Sequence, residues 1–231
     1  MLHLTPILIA LGAGLLMYHI GVRRTAHTLD ANSTELNDPG LRPVLDQLAR
    51  ALDLPRLRVH VYEIPAVNGL AAPDGRVFLT RGFFNRYRAG EVSAEEIGSV
   101  VAHELGHVAL GHARRRMVDF TGQNAIRMAL AVVLGRVLPG IGVLIANAVA
   151  GLIAAGLSRA DEFEADAYAA ALMSKAGLGV RPQIDLLKKL GAMSGVAGGP
   201  PTWLASHPAT EARVAAIRRL DDGWRAASRE G

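Results

Sequence analysis

Two histidines four residues apart, in the segment HELGH at residues 103–107, constrain this chain more than any other feature. Residues at this spacing share one face of an α-helix, so His103 and His107 can place two imidazoles on one metal ion. Glu104 lies about 100° round the helix from His103 and can reach a water molecule near that ion. The alternative is a pair of core histidines with ordinary hydrogen-bond partners. The segment predicts a metal site only if the chain supplies a third ligand.

The third ligand has to come from His, Asp or Glu, because the chain contains no cysteine. The candidates downstream are His112, Asp161, Glu162, Glu164 and Asp166. On a straight helix His112 faces away from His103, which makes it an awkward ligand. The acidic group is favoured because it belongs to a separate helix that can pack against the first. Geometry alone does not choose among its four carboxylates.

The rest of the chain predicts a mainly helical α+β domain over residues 39–231, behind a polar linker at 25–38. Residues 56–64 alternate like a strand, and the segment at 68–80 predicts a short extended piece and a strand joined by a turn at Asp74-Gly75. Ser93 followed by Glu96 is a capping box, which predicts the start of the helix that carries HELGH. The predicted fold is therefore a small sheet next to an active-site helix.

An uncharged apolar segment at residues 2–22 predicts an N-terminal transmembrane helix, with the anchor assigned to residues 1–24. At 1.5 Å per residue the segment would be about 30 Å long, the thickness of a bilayer core. It has neither a basic start nor a small-residue cleavage site, which disfavours a removed signal peptide; a buried core helix is the other alternative. Arg23 and Arg24 follow directly, so the positive-inside rule predicts a cytoplasmic catalytic domain.

The net charge of +4 does not indicate a nucleic-acid-binding protein. The arginines are scattered apart from a run at 114–116, which is more typical of a solvated or lipid-facing patch. Aromatic and basic residues do not alternate as they do in single-strand binders. No nucleic acid is therefore expected as a partner.

HELGH and the later segment SRADEFEAD, residues 158–166, together resemble the HtpX-like zinc metallopeptidases. That family also contains the CAAX prenyl endopeptidases and belongs to the gluzincins. Its second motif is S-R-x-x-E-x-x-A-D, and this chain matches it at every fixed position. The resemblance implies one zinc ion per chain, with Glu162 as the third ligand beside His103 and His107. It also implies that Asp166 orients a zinc-binding histidine.

Residues 68–84, NGLAAPDGRVFLTRGFF, resemble a further segment of that family, N-A-F-A…G-x-I-x-x-x-x-G-L. Gly69 and Leu70 stand where Ala and Phe are usual. The resemblance implies that Asn68, Gly69 and Leu70 form an edge strand to which the substrate backbone adds. An ordinary turn at Asn68-Gly69 is the alternative.

Residues 206–217, SHPATEARVAAI, resemble the family segment H-P-x-x-x-x-R-I, with Val214 in place of Ile. The resemblance implies that His207 and Arg213 border the site and that His207 stabilises the tetrahedral oxyanion. A helix-start histidine beside a surface arginine is the alternative.

A second apolar region, at about 121–157, predicts a helical hairpin that turns at Pro139-Gly140. Residues 137–157 are uncharged and long enough to span a bilayer. If His107 and Glu162 hold the same ion, however, the chain must cross the membrane an even number of times between them. The first arm is too short and is flanked by Arg127 and Arg136, so zero crossings are predicted. Whether the hairpin enters the bilayer stays open.

The residues and the resemblance together predict a membrane-anchored zinc metalloendopeptidase with Glu104 as its general base. Polypeptides, among them membrane or misfolded proteins, are the implied substrates, and the lipid bilayer is the implied partner. The alternative is a catalytically inactive membrane scaffold or chaperone that keeps the peptidase fold. The intact Glu104 argues against that alternative, because an inactive site needs no base.

Overall fold

The computed structural model describes residues 16, 19–21, 23–72, 74–112, 115, 128, 130–131, 133–139, 141–193, 207 and 211–230, with the backbone alone at 153 and 154. Most of the segment predicted as a transmembrane anchor, residues 1–24, lies outside these ranges, as does the Gly/Pro-rich segment at 195–201, which the sequence predicts to be a loop. The anchor therefore stays a prediction.

A four-stranded mixed sheet forms one layer of the domain, in the order β1-β2-β4-β3. Its strands are β1 (Ser33–Glu35), β2 (Val59–Tyr62), β3 (Gly69–Ala71) and β4 (Val77–Thr80). β2 and β4 run parallel at the centre, and β1 and β3 pair antiparallel with them on either side. The turn predicted at Asp74-Gly75 joins β3 to β4, with Gly75 at a φ of 85°. In this strand order β3 is an outer strand of the sheet.

Strand β1 lies inside residues 25–38, the segment predicted to be a linker. Residues 23–31 are helical, and β1 follows them and pairs with β2. Leu29 and Leu36 are buried, which attaches this polar segment to the folded domain at two points. The polar composition of the segment gave no sign of this strand. Burial of two leucines is nevertheless enough to fix a short edge strand.

Six helices have assigned bounds among the described residues. They are α1 (Arg42–Ala51), α2 (Arg81–Arg88), α3 (Ala94–Ala109), α4 (Gly142–Lys175), α5 (Arg181–Met193) and α6 (Glu211–Glu230). The predicted capping box is confirmed at the start of α3: Ser93 Oγ accepts from the Glu96 backbone N–H, and the Glu96 carboxylate accepts from the Ser93 N–H. The mainly helical α+β fold is thus the predicted one.

Helix α3 is the centre of the domain. All of its residues from Glu96 to Gly106 are buried, and it packs against α4, α5, α1 and β3. A helix that is buried all round belongs to the core of a domain. Ile97 and Val101 are fully buried there, and each contributes about 1.5–3 kcal/mol by leaving water. The residues of HELGH are therefore held on a helix that packs against these four elements of the fold.

Helix α4 is one continuous helix of 34 residues, whereas the sequence suggested an apolar segment followed by a separate acidic helix. Nothing between Gly142 and Lys175 breaks it, because the segment contains no proline. Pro139 lies in a break between helical residues 133–137 and the start of α4. Most of the first arm of the predicted hairpin lies outside the described residues, so the hairpin itself stays a prediction.

Candidate metal centre

Two imidazoles from α3 and one carboxylate from α4 converge at the interface of these helices. The Nε2 atoms of His103 and His107 lie 3.1 Å apart. Glu162 Oε2 lies 3.4 Å from His103 Nε2, and Glu162 Oε1 lies 3.5 Å from His107 Nε2. His207 joins the group through Nδ1, which is 2.9 Å from Glu162 Oε2 and 3.3 Å from His103 Nε2. The donor atoms of all four residues lie within 4.8 Å of one another.

These separations suit a zinc ion. Tetrahedral zinc with ligand bonds of about 2.0–2.1 Å places neighbouring donor atoms roughly 3.3 Å apart. The separations among His103, His107 and Glu162, from 3.1 to 3.5 Å, bracket that value. Imidazole nitrogen and carboxylate oxygen are also the donor types that zinc takes when cysteine is absent. The residues present therefore fit one zinc ion.

Asp166 fixes the orientation of His103 from the side opposite the donor group. Its Oδ1 lies 3.1 Å from His103 Nδ1, which leaves Nε2 directed at the other donors. Arg213 holds the same carboxylate with two hydrogen bonds, of 2.6 Å from Nε to Oδ2 and 2.8 Å from Nη2 to Oδ1. Gln183 Nε2 donates to Asp166 Oδ1 at 3.2 Å. A carboxylate fixed in this way locks the ring of a ligand histidine.

Arg213 is almost fully buried, with 2% of its surface exposed, and also contacts Glu162 Oε2 at 3.3 Å. A buried guanidinium needs carboxylate partners, and here it joins the two acidic residues of the S-R-x-x-E-x-x-A-D motif. The alternative of a surface arginine is wrong. The part that Arg213 plays in the reaction stays a prediction.

The two histidines of α3 lie in different electrostatic environments. Burial by itself lowers the pKa of His103, but hydrogen bonds with Asp166 and Glu162 outweigh burial and raise it to about 9. Burial lowers the pKa of His107 to about 2, and the neighbouring His103 adds to that effect. A metal ion must therefore displace a proton from His103, whereas His107 offers its lone pair without competition.

Glu104 lies beside the donor group without belonging to it. Its side chain is buried, and Oε1 lies 3.6 Å from His207 Nε2. Strand β3 approaches it closely: a Cβ added to Gly69 would lie 2.7 Å from Val100 Cγ1 and 3.4 Å from Glu104 Oε1. The structure thus brings the segment predicted to bind substrate next to the predicted base. Asn68, just before β3, is held by Thr80: its carbonyl accepts from the Thr80 backbone N–H at 3.0 Å, and its N–H donates to Thr80 Oγ1 at 2.8 Å.

A histidine that sequence reasoning set aside also adjoins the site. His112 is 1% exposed, and its Nδ1 lies 2.7 Å from Nδ1 of His107. A straight helix could not bring these residues together, because five positions amount to about 140° of rotation. Gly111 between them was the available signal, since a glycine after an apolar helical segment is typical of a helix end.

Comparison with known proteins places the chain among peptidases. The model of peptidase family M48 matches residues 35–221, which is more than half of the chain. A protein named protease HtpX homolog, from Verminephrobacter eiseniae, is 31% identical over 163 residues, which cover 55% of this chain and 53% of that protein. Metalloprotease LoiP of Escherichia coli is 30% identical over 158 residues, which cover 68% of this chain and 60% of LoiP.

A third relative is a putative beta-barrel assembly-enhancing protease of Vibrio cholerae. It is 28% identical over 195 residues, which cover 79% of this chain and 40% of that protein. The chain thus spans less than two thirds of the length of these curated relatives. The names of all three describe proteases.

Proposed function

The chain belongs to peptidase family M48, and on that premise we propose that it is a zinc-dependent metalloendopeptidase. One observation carries the proposal: the donor atoms of His103, His107 and Glu162 converge at separations that suit one zinc ion. Asp166 and Arg213 support these ligands from behind, as a catalytic metal site requires.

Glu104 is the proposed general base. Zinc bound between the ligands supplies a Lewis acid that polarises the substrate carbonyl and makes a nearby water molecule more acidic. Glu104 follows a ligand directly and belongs to the buried part of helix α3, residues 96–106, so its carboxylate is held beside the site. It would accept the proton of the attacking water and deliver that proton to the leaving amine.

Strand β3 is the proposed platform for the substrate backbone. It is an outer strand of the sheet, and it lies so close to Glu104 that a Cβ on Gly69 would already contact the carboxylate. An extended peptide that adds to β3 would pair its backbone with residues 69–71 and run past the donor group. Polypeptides are the substrate class that this arrangement favours, and the relative named for beta-barrel assembly supports membrane proteins among them.

His207 fits the donor group better than the oxyanion role that the resemblance implies. Its Nδ1 lies 3.3 Å from His103 Nε2, which is the spacing of a fourth ligand, and 2.9 Å from Glu162 Oε2, which is close enough for a hydrogen bond as well. Four protein ligands leave no open position for water. The proposal therefore requires His207 to move away before the peptide bond is attacked.

Helix α4 is proposed to carry the membrane contact near the site. It is the one helix in the described part of the chain that is long and apolar enough to cross a membrane. Large apolar side chains in its first half are exposed: Val143, Leu144, Ile145, Val149, Leu152 and Leu157. Its second half packs against α3, so only about 16 residues, roughly 24 Å of helix, are free to meet lipid. That is too short to span, and we place the apolar half against the near leaflet.

The test of the catalytic proposal is Glu104→Gln. The amide cannot accept a proton, so this variant should bind zinc like the wild type and lose cleavage of casein. Glu95→Gln on the same helix is the control, because Glu95 is exposed and outside the site. Cleavage by Glu104→Gln at the wild-type rate would refute the assignment of the base. A wild type that binds zinc but cleaves nothing would favour the inactive scaffold.

The membrane contact has a separate test, which the absence of cysteine makes clean. Leu152→Cys and Arg181→Cys each place a thiol at an exposed position, on the apolar half of α4 and on α5. With a fluorophore on each thiol, nitroxide-labelled lipid in proteoliposomes should quench the label at 152 and spare the label at 181. Equal quenching at both positions would count against the contact.

A further inference from the structure

The ring of His112 contacts the far side of the proposed ligand His107. The two Nδ1 atoms lie 2.7 Å apart, while His107 Nε2 faces the donor group. His112 is buried, and its Nε2 lies 3.1 Å from Glu164 Oε2 on α4. A series of contacts therefore runs from the donor group through His107 and His112 to Glu164.

The end of α3 brings His112 into this position. The helix ends at Ala109, and Gly111 follows with a φ of 66°, a left-handed conformation that most residues avoid. The reversal at Gly111 turns the chain so that His112 folds back beside His107. The contact thus depends on a helix end and not on helical spacing.

The tautomers of both rings follow from the contacts. When His107 Nε2 holds a metal ion, its ring proton must be on Nδ1, which donates to His112 Nδ1. The proton of His112 must then be on Nε2, which donates to Glu164 Oε2. Each contact pairs one donor with one acceptor, and neither ring needs a charge.

The acidic residues round His112 are already paired with a cation. Arg115 Nη1 lies 2.8 Å from Glu164 Oε2 and 3.4 Å from Asp161 Oδ1. Asp161, Glu164 and His112 are close enough to hold a metal ion of their own. The Arg115 guanidinium, however, contacts both carboxylates and would repel a metal ion. We therefore interpret His112 and its acidic neighbours as a support for His107 and not as a second metal site.

We propose that His112 is a positioning residue for His107: it accepts the Nδ1 proton and so holds Nε2 towards the zinc site. The inference rests on the proposed metallopeptidase function. It assigns different supports to the two ligand histidines, since His103 is held by the Asp166 carboxylate and His107 by a neutral imidazole. Loss of such a support typically lowers metal affinity 10–100-fold.

Two variants of the full-length protein separate the acceptor from simple packing. His112→Asn keeps an oxygen near the position of Nδ1, whereas His112→Leu fills similar space without an acceptor. The readout is the zinc dissociation constant, from competition with a chromophoric chelator, together with the number of zinc ions bound. His112→Leu should bind zinc 10–100-fold more weakly than the wild type, and His112→Asn should recover most of that loss.

The outcomes are distinguishable. Wild-type affinity in His112→Leu would overturn the inference and leave the proposed function standing, and so would equal weakening in both variants. Two zinc ions on the wild type, with only one lost in His112→Leu, would make His112 a ligand and not a support. A wild type that binds no zinc would instead overturn the proposed function.

Discussion

Replacing Gly82 by alanine should disturb the start of α2 and the segment that leads into β3. Gly82 is the second residue of α2, and its N–H donates to the carbonyl of Ile64 at 3.1 Å. An added Cβ would lie 2.7 Å from the carbonyl carbon of Pro65 and nearer still to the carbonyl oxygens of Pro65 and Ala66. Backbone atoms cannot rotate away from a clash, so the whole segment must move.

The size of the effect follows from that distance. Carbon atoms in contact prefer about 3.5–4.0 Å, so the segment has to shift by roughly 1 Å. Overpacking of this kind costs about 1–3 kcal/mol, and alanine returns at most about 1 kcal/mol through its higher helix propensity. We expect a net loss of about 1–2 kcal/mol in the free energy of unfolding. Because Asn68 and β3 follow Pro65, the KM for casein should rise as well.

Chemical denaturation in detergent, followed by far-UV circular dichroism, measures the stability change. Gly223→Ala is the matched control, because Gly223 lies in helix α6 with nothing within 4 Å of an added Cβ. That variant should be neutral or slightly stabilising. If Gly82→Ala is as stable as Gly223→Ala, the packing argument for this segment is wrong.

The remaining predictions concern pH, metal content and the fourth donor. Asp38→Asn should cost about 1–3 kcal/mol at neutral pH, because Asp38 accepts from the start of α1 and from Arg88. Burial raises the pKa of Asp38, but these bonds outweigh it and hold the pKa below that of an ordinary aspartate, so the difference from wild type should disappear as the pH falls below the range in which a free aspartate titrates. Zinc affinity should fall about tenfold per pH unit from pH 9 down to pH 7, because zinc must displace the proton of His103, whose pKa is about 9. Glu162→Ala should lose far more zinc than Glu164→Ala by metal analysis, and equal contents would refute the third ligand. His207→Ala should raise the rate of casein cleavage if His207 occupies the water position, whereas a lower rate with unchanged zinc content would restore the oxyanion role.

The start of helix α3, which carries HELGH, could be predicted because its signal is local. Ser93 and Glu96 define the start of α3 through a capping box, which depends on four neighbouring residues alone. The convergence of Glu162 on His103 and His107 is different in kind. From the sequence, any of the four carboxylates at 161–166 could have been the third ligand. Only the packing of α4 on α3 distinguishes Glu162, which contacts His103, from Glu164, which contacts His112.

Two features could not have been obtained from sequence periodicity. The contact of His112 with His107 requires the left-handed residue Gly111, and a glycine near a helix end indicates a stop without giving the direction of the chain beyond it. Strand β1 was hidden because three residues in a polar segment carry too weak a period to be detected. The first depends on the direction of the chain after the helix end, and the second on pairing with β2, which is distant in sequence.

The continuity of α4 fixes the distance between its apolar first half and the donor group at Glu162. Glu162 follows Leu157, the last exposed apolar residue of the first half, by about one and a half helical turns, or roughly 8 Å along the axis. No break separates them, so Glu162 cannot change its distance from the membrane surface without moving the apolar half of the helix as well. With that half against lipid, the peptide bonds within reach are those a few ångströms from the headgroups. Selection of substrates would then depend on how far a susceptible bond lies from the bilayer, as well as on the residues around it.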